Sequence, residues 1–194
     1  GAVSSVDAVA SQAGIDVLKA GGNAADAAVA TAAALGVTEP YSTGIGGGGF
    51  FVFYDAKTGQ VKTIDGRETA PSTFTSTTFL EPDGTPMAFS KAVNSGLSVG
   101  VPGSPATWDL AARSFGTRPL GDLLAPAENI ARRGFVVDQT FQDQTAANAA
   151  RFAKFPATAK VFLPGGAVPA VGSVFRNPDM AAAYRELRTH GVAS

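Results

Sequence analysis

Apolar residues return at three- and four-residue steps through Val6, Val9, Ala10, Ala13, Val17 and Leu18. That spacing lines one face of an amphipathic helix, and Ser5 is placed to open it. Gly21-Gly22 offers the left-handed residue that closes a helix. Asn23 is then a natural N-cap for the next one, with Asp26 three positions on, where its charge meets the positive helix end. This second helix, about Ala24–Leu35, is Ala, Val, Thr and Leu almost all round. A helix without a polar face is a buried one, and its small side chains admit close neighbours. A core role, rather than direct chemistry, is expected of it.

The period then changes. Phe50-Phe51-Val52-Phe53-Tyr54 is a continuous apolar run ending at Asp55, and a strand of that kind is expected to be covered on both faces. Lys57-Thr58-Gly59 makes a turn, and Gln60–Asp65 returns as a second strand with weaker alternation. The pattern asks for a sheet buried between layers, with helices before it. From Thr69-Ala70-Pro71 to about Gly96, Ser, Thr, Gly and Pro dominate, so loop with at most short strands is expected. Val99–Gly103 leads into a helix with Ser104 as N-cap, Pro105 in the first turn, and Trp108, Ala111, Ala112 and Phe115 as its buried stripe. Pro119–Leu124 reads as a short helical turn. Pro126 starts a helix that turns Ile130 and Ala131 inward and ends at Gly134. Asp138 caps another, with Phe141, Thr145, Ala149 and Phe152 on one face. Pro164–Arg176 is loop or hairpin, and Asn177-Pro178 opens a last helix, about Pro178–His190. Neither a repeat nor a sharp linker appears, so residues 1–194 read as a single α+β domain.

Composition narrows the chemistry. The 194 residues are 45% hydrophobic and 16% charged, with a formal net charge of -1. A disordered chain would be poorer in apolar residues, and a nucleic-acid binder would carry a basic excess. No stretch approaches the ~20 apolar residues of a membrane helix, and the opening Gly-Ala-Val-Ser-Ser shows no signal peptide. With Cys 0 and His190 as the one histidine, disulfides, thiolate nucleophiles and Cys-based metal sites are excluded, and an internal Ser–His–Asp triad or multi-His metal site is not expected. His190 reads as a surface residue near a helix C-terminus. Ser4, Ser5, Ser42 and Thr43 are hydroxyls without an evident base.

Two motifs stand out. The run Gly44–Gly49 is not a nucleotide cradle: a dinucleotide fingerprint has a strand before its glycines and a helix after, and here the order is reversed. Tight backbone packing is the expected reason for it, with close passage of a ligand or second chain as the alternative. Asp65-Gly66-Arg67-Glu68-Thr69-Ala70-Pro71 is more pointed, because Arg67 falls in a turn just past a strand. A guanidinium there is suited to grip a carboxylate through two parallel hydrogen bonds. An internal Arg67–carboxylate pair or a solvated rim charge is the other reading.

Taken together, the motifs resemble those of the gamma-glutamyltransferases. The likeness runs through Gly21-Gly22-Asn23-Ala24-Ala25-Asp26, Glu39-Pro40, Ser42–Gly48, Asp65–Pro71, Leu97–Gly103, Leu124–Ala127, Gly134-Phe135 and Asn177-Pro178-Asp179, in the family's order and along nearly the whole chain. The resemblance implies an N-terminal-nucleophile hydrolase, a four-layer αββα sandwich present here only in part, as the N-terminal portion of a large subunit. It implies an enzyme cut from one precursor, whose nucleophile is the N-terminal Thr of a small subunit, with that residue's own amine as base. The activity implied is cleavage of gamma-glutamyl amides, glutathione among them, and transfer to water or an amino acid through a gamma-glutamyl–threonine ester. Arg67 matches the arginine that holds the substrate's α-carboxylate. No catalytic residue, cofactor or metal site is then expected among these residues, and the chain alone is expected to be inactive. The partners implied are the small subunit and a small gamma-glutamyl compound, without nucleic acid or a membrane span, at a periplasmic or extracellular address. Asp7-Ala8 replaces the family's frequent His-Pro, and Tyr41 stands where His is common. A glutaryl (cephalosporin) acylase of the same fold and a non-catalytic scaffold homologue are the competing readings.

Overall fold

The first helix, α1 (Ala8–Lys19), starts at Asp7 rather than Ser5: the Asp7 carboxylate accepts the Ala10 N–H at 2.7 Å, and the Ser5 hydroxyl donates to the Asp7 carbonyl. A carboxylate at a positive helix end is a stronger cap than a hydroxyl two residues earlier. Val6 therefore lies outside the helix, 84% exposed, and Val9 is exposed too; the buried stripe is Ala10, Ala13, Gly14 and Val17. The computed structural model describes residues 1–192. It divides into two compact units, one built from residues 1–44 together with the chain from Trp108 onward, the other from Ile45–Thr107.

In the first unit α2 (Ala24–Thr38) is buried along almost its whole length, as its composition requires. Asn23 and Asp26 form a reciprocal capping box, the Asp26 N–H reaching Asn23 Oδ1 at 3.0 Å and the Asn23 N–H reaching Asp26 Oδ2 at 2.8 Å. Asp26 does more than cap. Fully buried, it also accepts the Thr117 hydroxyl at 2.6 Å and the N–H groups of Thr117 and Arg118, pinning the loop that follows α3 (Ser104–Phe115). Burial pushes its carboxyl up, but these hydrogen bonds, the Thr117 hydroxyl foremost, hold it below the usual carboxylate range. Trp108, Ala111 and Ala112 of α3 face inward as expected.

The remaining helices close around α2. In α4 (Ala125–Arg133) buried Glu128 meets Arg185 at 3.1 Å and Arg188, both on α7 (Pro178–His190). Arg188 also donates to the Gly121 carbonyl at 2.8 Å. Tyr184 of α7 is fully buried and donates to the Ala33 carbonyl at 2.7 Å. Asp138 caps α5 (Gln139–Phe152) through the Phe141 N–H at 2.7 Å. A short helix without a counterpart in the expected elements, α6 (Pro156–Phe162), opens on Pro156, whose missing N–H costs nothing at a first helical position. It brings Phe162 to Tyr41 and Phe152, while Phe135-Val136 and Val174-Phe175 pair antiparallel and add Phe175 to the same aromatic cluster.

The second unit is a hairpin and the loops that follow it. Strands β1 (Gly49–Asp55) and β2 (Gln60–Gly66) pair antiparallel in the register Gly49↔Gly66 to Asp55↔Gln60. Asp55 closes the turn, accepting the Lys57 N–H and the Thr58 hydroxyl, with Gly59 at φ 70. The expectation that Phe50–Tyr54 is covered on both faces does not hold. Phe50, Val52 and Tyr54 are 62%, 67% and 62% exposed, while Phe51 and Phe53 are half-buried. Alternation is imposed by the pleat whatever the residue types, and a face is dry only where another layer lies on it. After the hairpin, Thr69 bridges to Val101 and Leu80 to Pro86, with a helical turn at Phe89–Val93.

Candidate functional site

Arg67 follows directly on β2, and the backbone that delivers it is crowded enough to demand glycine. A Cβ on Gly66 would come to 1.7 Å from Thr107 Oγ1, and one on Gly48 to 2.4 Å from the Gly66 carbonyl oxygen. The Gly47 carbonyl accepts the N–H groups of Gly103 and Ser104 at 3.0 Å each. Within the glycine run this accounts for Gly48, whereas a Cβ on Gly46 or Gly49 would meet nothing within 4 Å; the crowding at Gly48 and Gly66 fixes where β2 ends and the Arg67 turn begins. The Asp65 carboxylate accepts the Arg67 N–H at 3.1 Å and sets that turn.

The Arg67 side chain is 60% exposed, and its Nη1 lies 3.0 Å from Glu68 Oε2. The internal carboxylate neighbour of the second reading is present, and more than half of the side chain remains open. Glu68 Oε2 is buried and accepts no hydrogen bond, so the contact with Arg67 is electrostatic rather than an aligned hydrogen bond. Arg67 and Glu68 line a cavity of about 510 Å³ together with Thr69, Phe74, Phe79 and Val99. Chemically the lining combines one cation and one carboxylate with the hydroxyls of Thr69 and Ser98 and with apolar side chains; a guanidinium with donors to spare is suited to hold an anion and unable by itself to make or break a covalent bond.

The other singled-out residues, His190, Ser4, Ser5, Ser42 and Thr43, are not among those that line this cavity. His190 is exposed and sits 2.9 Å from Glu186 Oε2, one turn back on α7. Ser5 shares a hydrogen bond with Ser11 at 2.7 Å. Glu39, which entered only as part of a motif, is buried in the first unit. Burial first, then the charges of Asp138 and Asp7, push its carboxyl above the usual range. Among the described residues no cluster of three or more His, Asp or Glu could hold a metal, and no helix is long and apolar enough to cross a membrane. Glu68 and the Phe74–Phe79 pair were not singled out as members of the site. Glu68 had a signal, its place beside Arg67; the two phenylalanines had none, because a loop closes to bring them there.

The architecture is α+β, part of the N-terminal-nucleophile hydrolase fold. It superposes on the crystal structure of Helicobacter pylori gamma-glutamyltranspeptidase with a TM-score of 0.94 at 34% identity, covering 98% of this chain and 54% of that one. It superposes on a cephalosporin acylase from Bacillus halodurans with a TM-score of 0.80 at 32% identity, covering 94% and 34%. The chain is 39% identical over 192 residues to the glutathione hydrolase proenzyme of Bacillus subtilis strain 168, covering 99% of this chain and 32% of that protein. With the Escherichia coli K12 glutathione hydrolase proenzyme it is 46% identical over 143 residues, which is 74% of this chain and 24% of that protein. Residues 10–194 match the family model described as gamma-glutamyltranspeptidase, and the chain belongs to that family. It spans about a third of the length of the Bacillus subtilis relative.

Proposed function

We propose that the whole protein cleaves gamma-glutamyl amide bonds and passes the gamma-glutamyl group to water or to an amino acid or peptide. The acyl group would travel as an ester on a threonine that opens a small subunit cut from the same precursor. What carries this reading on the present residues is Arg67: a glycine-dependent turn holds it in the lining of a cavity, with its side chain more than half exposed. Its role is to fix the donor's α-carboxylate, while bond making belongs to residues outside this chain.

The hairpin supports the same reading. A face carrying Phe50, Val52 and Tyr54 is too apolar to remain in water in a finished protein. We take it as the surface on which further parts of the precursor pack, with the small subunit among them. The isolated 194-residue chain should then release no anilide from a gamma-glutamyl anilide, and clear turnover would sink the proposal. In the complete processed protein, Arg67→Ala should raise KM for gamma-glutamyl donors far more than it lowers kcat, by about 2–3 kcal/mol of lost binding for a charge-assisted hydrogen bond. An unchanged KM would remove Arg67 from its role. Superposition on the cephalosporin acylase keeps one competitor alive, and parallel assays with gamma-glutamyl and glutaryl donors separate the two.

A further inference from the structure

An ion pair in open water binds weakly, because solvent screens both charges and competes for every hydrogen bond. Arg67 is more than half exposed and already neighbours Glu68, so its charge alone is a poor handle for a carboxylate. The cavity beside it supplies what the charge lacks. Its lining includes the apolar side chains Phe74, Phe79, Leu97 and Val99, the last three 41%, 38% and 61% exposed, in the same cavity as one cation. Phe74 and Phe79 meet edge to face with ring centroids 5.8 Å apart, an arrangement that holds each ring in place.

The loop that carries these residues is braced rather than slack. Its neck is closed by the Val101 N–H on the Thr69 carbonyl at 2.9 Å. Inside it, the Met87 N–H donates to the Phe79 carbonyl at 2.8 Å and the Glu81 N–H to the Thr85 carbonyl at 2.8 Å. Lys91 grips both oxygens of Glu81, at 2.8 and 2.7 Å. Half-exposed aromatic residues on a braced loop, turned toward a cavity, call for an explanation that core packing does not provide.

We propose that Phe74, Phe79, Leu97 and Val99 form a water-excluding wall around the ion pair between Arg67 and the donor's carboxylate. They are positioning residues: they make no bond to the reacting atoms, and they strengthen the Arg67 contact by lowering the local dielectric and displacing competing water. The inference rests on the reading that Arg67 holds a donor carboxylate, and it adds that the carboxylate sits against hydrocarbon rather than in solvent.

Steady-state kinetics of the complete processed protein with a gamma-glutamyl anilide, at low and high salt, test it. Phe79→Ala should raise KM roughly five- to tenfold and leave kcat within about twofold, the loss expected when a shielded charge pair becomes a solvated one. KM should also rise more steeply with salt than in the parent. Phe79→Leu, which keeps the wall apolar, should restore most of the affinity. Val99→Thr changes polarity without changing shape at an exposed position, so it keeps the test open if Phe79→Ala does not fold, and it should raise KM in the same direction by a smaller factor. Arg67→Ala run alongside separates the two claims. If Arg67→Ala raises KM while Phe79→Ala and Val99→Thr leave both KM and its salt dependence unchanged, the wall is refuted and the Arg67 role stands. If none of the three changes KM, the Arg67 role has failed and the wall with it. A fall in kcat at constant KM would also overturn the proposal.

Discussion

The helical unit and the hairpin unit solve the problem of buried surface differently. In the first, three buried polar groups have specific partners: Asp26 holds Asn23, Thr117 and Arg118, Glu128 holds Arg185 and Arg188, and Tyr184 holds the Ala33 carbonyl. In the second, the closest approaches are at Gly48, Gly66 and Gly103, while one face of β1, Phe50, Val52 and Tyr54, stands in solvent. The first unit supplies its own interior. The second is crowded at these glycines and open on one face. Stability should therefore reside in the first unit, and sensitivity to substrate and to other chain segments in the second.

The strongest way to break this contrast is through Asp26. Asp26→Ala strands several buried donors at once and should cost about 3–5 kcal/mol, read as a fall in the urea midpoint of the isolated chain. Next in size, Gly66→Ala should cost about 1–3 kcal/mol by overpacking, with faster amide exchange at Gly103 and Ser104, whose N–H groups lose their fixed acceptor. An exchange pattern unchanged there would show that the glycine crowding is not what fixes the Arg67 turn.

Glu39 gives a smaller effect with a definite sign. Its carboxyl is pushed up, chiefly by burial and then by Asp138 and Asp7, so the folded state holds its proton where the unfolded state has lost it. Stability is accordingly reduced at neutral pH and recovers as pH falls through the raised value toward the unfolded pKa of about 4.3. Asp26 acts oppositely, contributing fully above about pH 3.9 and losing its contribution as pH falls through its lowered value. Glu39→Gln should be more stable than the parent at pH 7 and converge with it near pH 4; a parallel pair of profiles would contradict the assignment. Smallest of all, Val52→Thr on the exposed face should change the isolated chain's stability by no more than about 0.5 kcal/mol. In the complete protein the same change should cost distinctly more if that face is packed upon.

Much of the helical unit was legible because its signals are local. Asn23 with Asp26, Asp138, and Asn177-Pro178 mark helix starts within a few residues of the apolar pattern they introduce. The error at Ser5 arose because two capping side chains lie two residues apart, and spacing alone does not rank a hydroxyl against a carboxylate. Helix α6 escaped because seven residues between Phe155 and Leu163 give too few turns for a period to show. The hairpin was legible as strands and misjudged as burial, since a run such as Phe50–Tyr54 records that a strand is apolar but not how many layers cover it. Arg67 could be picked out from its place past a strand end. The wall beside it could not, because Phe74, Phe79, Leu97 and Val99 are collected by closure of a loop between Thr69 and Val101.

The open hairpin has a cost in handling as well as a use in assembly. Among the described residues its sheet has two strands only, with an apolar row of Phe50, Val52 and Tyr54, and Val61 paired across from Tyr54 on the same face. Gln60, Lys62, Thr63 and the acidic ends, Asp55 and Asp65, interrupt the apolar character of the pair. Chains with such strands template one another. Expressed without covering segments, this polypeptide should self-associate as its concentration rises and attract chaperones that sample extended apolar strands. A Lys in place of Val52 should keep it monodisperse, turning an assembly surface into an ordinary wet one.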